Sequence, residues 1–344
     1  MPELPKYARR TSDPKAVVVT PKSPIRGATN PWLPSVLADM NEQELRRHAA
    51  RHGGYLTIPA ARELGCGDRQ IAVLLREYGW TRPQIGALAP PGSLGDPALV
   101  RLRAVPEQRP HLVASHRTAA ALHGVSMLFR PGEAERLVEL TDPRTIRART
   151  RIEGMQVHRL PLARDEIVVR QGVRCTALLR TMADVSRSEP RNAAVAALDS
   201  ALNLGLCTVE ELRGHLVAAS GRHGSAAALS LLDLADGRSE SPLETEARLL
   251  MHDAGWHPRP QAEVATVRGP RRVDFLFDAE GLAVETDGAE HHASADGQRR
   301  DLRRFNDLAG CPQVRAVLRF SWQDIFLRPD LFLREVGEKL VLLA

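Results

Sequence analysis

Apolar and polar positions alternate in two short runs near the C-terminus, Arg272-Val273-Asp274-Phe275-Leu276-Phe277 and Leu282-Ala283-Val284-Glu285-Thr286-Asp287. A period of two is that of a half-buried strand. The intervening Asp278-Ala279-Glu280-Gly281 has turn composition. The runs therefore predict a hairpin closed by a short loop. Pairing Phe277 with Leu282 sets Asp274 opposite Glu285 and Arg272 opposite Asp287, the latter a candidate cross-strand ion pair. Regular alternation puts Asp274, Glu285 and Asp287 on one face and Val273, Phe275 and Val284 on the other. Like charges opposed across a sheet are destabilising. Close carboxylates share a proton or bind a cation, and this arrangement points to a divalent metal.

The same reading extends through the last third of the chain: helix 242–254, strands 262–267, 272–277 and 282–287, helix 295–309, strand 315–320 and helix 330–342. Helices flanking a sheet make this an α/β unit. Ser241-Pro242-Leu243-Glu244 opens the first helix as a capping box with proline at its favoured first position. Two readings stand for Glu244: the reciprocal cap, or a fourth acidic group facing the hairpin. The helix after the hairpin places Arg299, Arg300, Arg303 and Arg304 opposite an apolar side of Leu302, Phe305 and Leu308.

Towards the N-terminus the periodicity becomes helical. Asn41-Glu42-Gln43-Glu44 starts a helix that Gly53-Gly54 stops. Thr57 caps a short helix with Pro59 in its first turn, Cys66-Gly67 makes a turn, and Asp68 caps a helix from Arg69 to Tyr78. Two short strands are expected between Trp80 and Leu88. This order is that of a winged helix-turn-helix. Arg69 and Gln70 then stand where base-reading residues sit, with Arg76 and Arg82 placed for phosphates; the alternative is a helical interaction module with a solvated arginine face. His116 and His123, seven apart, share a helix face and suit packing or capping. The helix 192–203 has core-facing spacing, and Ser220 to Ser225 with Gly237-Arg238-Ser239 reads as a linker.

Length and charge refine this organisation. A chain of 344 residues exceeds one hydrophobic core. Four units are expected: a disordered arm at 1–38, the winged helix-turn-helix at 39–95, an α+β middle domain at 96–235, and the α/β domain at 239–344. Residues 1–36 hold seven prolines and six Lys or Arg. Residues 239–344 hold 14 basic and 18 acidic residues, a net of −4, which leaves +9 of the overall +5 on residues 1–238. A basic front and an acidic rear suit a DNA binder joined to a metal-dependent domain. Of 47 Lys and Arg, only Lys6, Lys15, Lys22 and Lys339 are lysine, a bias that coding composition explains. There is no apolar run of spanning length and no secretory h-region, and Cys66, Cys175, Cys207 and Cys311 are scattered. A cytoplasmic protein with reduced thiols and no membrane contact is expected.

Two resemblances sharpen these expectations. Residues 39–95, with Ala114 to Gly124, Val157-His158-Arg159 and Cys175 to Thr181, resemble the abortive-infection antitoxins of type IV toxin–antitoxin systems. This implies DNA binding and a toxin partner. Residues 239–344 carry the ordered set Glu244, Val273-Asp274, Val284-Glu285-Thr286-Asp287-Gly288, His291-His292, Gln298-x-x-Asp301-x-x-Arg304-x-x-x-Leu308 and Val317 to Trp322. This set resembles the endonuclease-like domains related to very-short-patch repair nucleases, within the PD-(D/E)XK superfamily. The resemblance implies a restriction-endonuclease-like fold and Mg²⁺-dependent DNA cleavage in repair or phage defence. Many such nucleases work as homodimers. It makes Asp274 the central metal ligand, Glu285 the second, and Glu244 part of the acidic set. Asp287 stands at the position of the superfamily lysine, as a ligand or base. Arg300 and Arg304 are candidates for the lysine's electrostatic role; the alternative for Arg304 is an ion pair with Asp301 or Asp287. His292 either orients water or phosphate or is a loop histidine. The competing whole-chain reading is an antitoxin-like transcriptional regulator whose nuclease fold is inactive.

Overall fold

Thr57 closes the start of a short helix by accepting a hydrogen bond from Ala60 N at 3.2 Å, with Pro59 in the first turn. That cap organises the first described unit. The computed structural model describes residues 42–82, 86–92, 102, 109–129, 138–144, 152, 155–287, 306–308 and 310–344. Helix α1 (Glu42–Arg51) is followed by β1 (Leu56–Thr57), α2 (Ile58–Glu63), α3 (Asp68–Glu77) and β2 (Ala87–Leu88). The three helices bury Leu45, Ala61, Ile71 and Leu74 against Trp80, whose indole donates to Glu42 Oε1 at 3.1 Å.

Two local expectations are corrected here. Gly67, not Asp68, is the N-cap of α3, and its N–H donates to Gln70 Oε1 at 3.0 Å. Of the two strands expected between Trp80 and Leu88, the described residues hold one, β2, which pairs with β1 through Leu56↔Leu88 and Thr57↔Ala87; Thr81 makes an antiparallel bridge to Ala89, and residues 83–85 lie outside the described residues. Two-residue strands carry no periodicity to read. Residues 1–41, including the expected arm, lie outside the described residues.

The middle of the chain forms a five-stranded mixed sheet in the order β5-β4-β3-β7-β6. Its strands are β3 (Val113–Ala114), β4 (Val138–Asp142), β5 (Met155–Arg159), β6 (Ile167–Arg170) and β7 (Val173–Thr176). Helix α4 (His116–Leu122) covers it. A helical layer follows: α5 (Leu178–Ser188), α6 (Arg191–Asn203), α7 (Val209–Ala218) and α8 (Ser225–Leu232). Their shared core includes Met182, Val185, Leu198, Leu212 and Leu216. The Ser220–Ser225 run lies between α7 and α8, with Ser225 buried against Ala219 O, so it is a turn within this layer rather than a linker.

The last part contains α9 (Pro242–Asp253), β8 (Arg259–Thr266), β9 (Gly269–Phe277), β10 (Leu282–Asp287), β11 (Ala316–Ser321), α10 (Trp322–Leu327) and α11 (Pro329–Leu343). The sheet order is β11-β10-β9-β8, with β10 and β11 parallel and the other pairs antiparallel. Pro260 sits on edge strand β8, where a missing N–H is tolerated. One cluster packs Phe275, Phe277, Leu282, Val284 and Phe320 against Leu243 and Ala247 of α9 and Phe332 and Val336 of α11. A second packs Val273, Leu276 and Ala283 with Leu308, Cys311 and Val314. No helix of the described residues is long and apolar enough to cross a membrane. All four cysteines are free and buried.

Candidate active site

The hairpin forms in the expected register, with Leu282↔Phe277, Ala283↔Leu276 and Val284↔Phe275. Gly281 closes its loop at φ 64°, and a Cβ there would meet Arg315 Cγ at 3.0 Å and Gln313 O at 3.1 Å. Only glycine fits such a turn without displacement. Asp274 and Glu285 are the residues that follow the last ladder pair on their two strands.

Alternation along β9 is not uniform. Phe275 and Phe277 pack with α9, whereas Val273 joins Leu276 in the opposite cluster, contrary to the regular alternation expected. The distortion coincides with Gln261 on β8. This residue falls between the pairs Pro260↔Phe275 and Ala262↔Val273 and has φ 49°. A left-handed residue inside a strand costs conformational energy and is kept where surrounding contacts hold it. Here the Gln261 side chain donates to Glu244 Oε2 at 2.7 Å.

Glu244 is fixed at the start of α9, though not as the reciprocal cap of Ser241 N: its Oε1 accepts from Ser241 Oγ at 2.9 Å, its Oε2 from Glu240 N at 2.9 Å, and its own N–H donates to Ser241 Oγ at 3.1 Å. It is only 7% exposed. Burial pushes its carboxyl above the usual range, and the charge of Asp274 pushes in the same direction against the hydrogen bonds. Two carboxylates from distant segments are therefore electrostatic neighbours.

Asp274 Oδ2 accepts from Thr286 N at 2.7 Å and Thr286 Oγ1 at 2.8 Å. Glu285 is 6% exposed. Asp287 is ion-paired with Arg319 Nη2 at 2.7 Å. The expected Arg272–Asp287 pair is replaced: Arg272 reaches Glu240 Oε2 at 2.6 Å, because Asp287 is taken by the strand on its other side. Arg319 is the site residue that sequence reading missed. Its backbone is in parallel register with Glu285. It was visible as a lone cation in an apolar strand, but nothing in the sequence gives the parallel pairing that delivers it. Arg300, Arg304 and His292 lie outside the described residues.

Among the described residues no group of three or more His, Cys, Asp or Glu side chains is arranged to hold a metal. Glu244, Asp274, Glu285 and Asp287 therefore do not form a closed four-carboxylate cage. Mg²⁺ does not need one, since it keeps several waters and binds through one or two carboxylates plus substrate phosphate. Asp274 and Glu285, the next residues beyond the Val284↔Phe275 pair, are the two carboxylates that open binding of this type would use.

In the N-terminal unit Arg69, Arg76 and Arg82 are exposed. Arg69 and Arg76, two turns apart, lie on one face of α3. Gln70 is engaged in the α3 cap. His116 and His123 are packed and bonded: His116 stacks on His158, and His123 Nε2 donates to Thr176 O at 2.8 Å.

The fold is that of a mixed α/β protein whose described residues form three sheets flanked by helices. No family model matches it. The chain is 36% identical over 202 residues, 58% of its own length and 70% of theirs, to uncharacterized protein MT2308 and uncharacterized protein Rv2248 of Mycobacterium tuberculosis, strains CDC 1551 / Oshkosh and ATCC 25618 / H37Rv respectively. It belongs to the same family as these two mycobacterial proteins.

Proposed function

We propose that the chain is a Mg²⁺- or Mn²⁺-dependent DNA endonuclease. In this reading residues 239–344 are a PD-(D/E)XK-type nuclease domain, and the unit around α3 is a winged helix-turn-helix that brings it to DNA. The observation that supports it is the placing of Asp274 and Glu285 side by side on the hairpin beyond the Val284↔Phe275 pair, with the buried Glu244 carboxyl within electrostatic reach of Asp274. Buried like charges raise each other's energy, and a divalent cation would offset that cost.

Asp274 and Glu285 would hold the ion, and Glu244 would tune the charge of Asp274 from behind. A bound metal would neutralise phosphate charge and make a water nucleophilic near neutral pH. Asp287 cannot supply the positive charge of the superfamily lysine; Arg319, paired with it, can. Asp287 is then an orienting carboxylate for that guanidinium, free to accept a proton if Arg319 turns to phosphate.

The test is cleavage of plasmid, single-stranded and mismatched DNA by the full chain with Mg²⁺ or Mn²⁺, beside Asp274→Ala. Metal-dependent cutting lost in the variant is expected. No cutting on any substrate, or cutting that survives Asp274→Ala, favours the second reading: a DNA-binding, antitoxin-like regulator with a silent nuclease fold. That reading is supported by the pairing of Asp287 with Arg319 and of Asp274 with Thr286, which satisfies both carboxylates in part without metal.

A further inference from the structure

A second concentration of charge lies far from the hairpin in sequence, in the helical layer of the middle region. A pocket of about 350 Å³ is lined by Glu166, His215, Arg222 and the small residues Ala218, Ala219 and Gly221. His215 Nε2 and Arg222 Nη1 are buried and have no hydrogen-bond partner among the described residues. Behind this wall, Arg180 Nη2 and Arg187 Nη2 are buried and likewise unpartnered among the described residues. Buried donors are nearly always paired, and each one left open is costly. Two of these atoms belong to residues lining the pocket and two to arginines behind it, and the lining pair calls for an acceptor in the pocket.

The balance of charge is positive. Three guanidiniums face two carboxylates. Arg180 bonds Asp184 Oδ2 at 2.7 Å and Glu166 Oε2 at 2.9 Å. Arg187 bonds Asp184 Oδ1 at 3.4 Å, and Arg222 stands 3.8 Å from Glu166 Oε1. Glu166 Oε2 also accepts from Ala163 N at 2.9 Å, so this carboxylate is held in place by other partners. The one loose contact is the Arg222 pair, and Arg222 is the guanidinium best placed to turn to a ligand. Burial lowers the His215 pKa, and Arg187, Arg180 and Arg222 lower it further against Glu166, which places all of these groups within electrostatic reach of one another.

We propose that this pocket binds the phosphate group of a small molecule. Guanidinium forks match phosphate oxygens in geometry and charge. The volume is that of a small-ligand site, and the backbone of a DNA duplex is too wide to reach donors buried in a concave wall. The site is independent of the nuclease reading.

Isothermal titration of the full chain with inorganic phosphate, in the presence of a chelator and with chloride as control, tests it. Saturable one-site binding of phosphate and none of chloride is expected. Arg222→Gln, which alters the most exposed of the three guanidiniums, should weaken binding about tenfold, the effect of losing one charged hydrogen bond. Asp274→Ala should leave binding unchanged, which separates this pocket from the hairpin site. Absence of saturable binding to the parent protein overturns the proposal whether or not any variant folds. So does equal affinity in a correctly folded Arg222→Gln, or displacement of phosphate by a short DNA duplex, which would assign the donors to backbone phosphates.

Discussion

Arg319 Nη2 lies 2.7 Å from Asp287 Oδ1, while its backbone is aligned with Glu285 on the parallel neighbouring strand. The strand that completes the sheet thus brings a cation to the carboxylates. The two side chains are 33% and 29% exposed, so the ion pair stabilises the fold by only about 0–1 kcal/mol. Arg319→Ala should therefore leave the melting temperature near that of the parent. In the nuclease reading it should slow cleavage about a hundredfold, the usual cost of removing one charge-stabilising donor. Nicking rates and thermal melts of the same preparations check this. A large drop in melting temperature would make the arginine structural.

Glu244 gives the site a pH signature. Its folded-state pKa is raised, chiefly by burial and also by Asp274, so the native state holds this proton more tightly than the unfolded chain does. The contribution to stability is then most favourable below the ordinary glutamate value of 4.5 and falls as pH rises through the folded-state value. Urea midpoints taken on both sides of that window should show the decline, and Glu244→Gln should flatten it. Added Mg²⁺ should also flatten it in the parent if a cation sits beside Asp274. A slope identical in parent and variant would remove Glu244 from the account.

The hairpin was legible because alternation, turn composition and strand length agree over Arg272–Asp287, and Phe277 does pair with Leu282. What sequence could not supply came from elsewhere in the fold. Val273 changes sides where Gln261, on another strand, adopts a left-handed backbone. Arg319 is delivered by parallel pairing across a long connection. Ser220 to Ser225 has the composition of a linker, yet Ser225 is buried and bonds Arg187 Nε at 3.2 Å. Cap chemistry is local, and Thr57 and Ser241 do cap α2 and α9, whereas Gly67 and not Asp68 caps α3.

His116 makes the middle sheet acid-sensitive. It is 3% exposed, has φ 49°, and stacks on His158 with ring centroids 3.6 Å apart. Burial, then the charge of His158, lowers its pKa from 6.5 to about 4, with Asp184 and Glu139 opposing and Arg180 assisting. A depressed histidine stabilises fully above the unfolded value and loses that contribution as pH falls from 6.5 towards about 4. The loss is on the order of 3 kcal/mol. Burial alone would raise Glu139, but bonds from His158 and Arg117 N bring it below its usual 4.5, so it adds its own loss beneath that pH. Asn tolerates a left-handed backbone, so His116→Asn should remove the upper part of the acid transition without backbone strain. Denaturation midpoints across that pH range, parent against variant, decide the matter.

DNA binding by the first unit is testable without cleavage. Arg69, Arg76 and Arg82 are exposed, with the first two on one face of α3. If they meet phosphates, each Arg→Ala change should weaken binding to all sequences alike and reduce the salt slope by about one. Gln70 should behave differently. Its Oε1 accepts from Gly67 N, so Gln70→Ala should cost about 1 kcal/mol of stability through the lost cap. Gel shifts over a salt series distinguish these outcomes, and an unchanged slope in all three arginine variants would leave α3 outside the interface.

Asp199 joins the helical layer to the hairpin domain. It is 1% exposed and accepts from Arg248 Nη2 at 2.7 Å, Thr245 Oγ1 at 2.8 Å and Asp236 N at 2.7 Å. One carboxylate on α6 therefore ties down two residues of α9 and the segment between the two layers. Burial raises its pKa, while Arg248 and the hydrogen bonds pull it back. Asp199→Ala leaves a largely buried guanidinium without its charge partner, a change that typically costs about 3–5 kcal/mol. Asp199→Asn keeps the shape and one acceptor oxygen but loses the charge, so it should fall between parent and alanine. Because the broken contacts lie between α6 and α9, the loss should appear as separated unfolding of the segment after Ser239, read as two urea transitions where the parent should show one. A single transition with an unchanged midpoint in Asp199→Ala would mean that apolar packing alone holds α9 on α6.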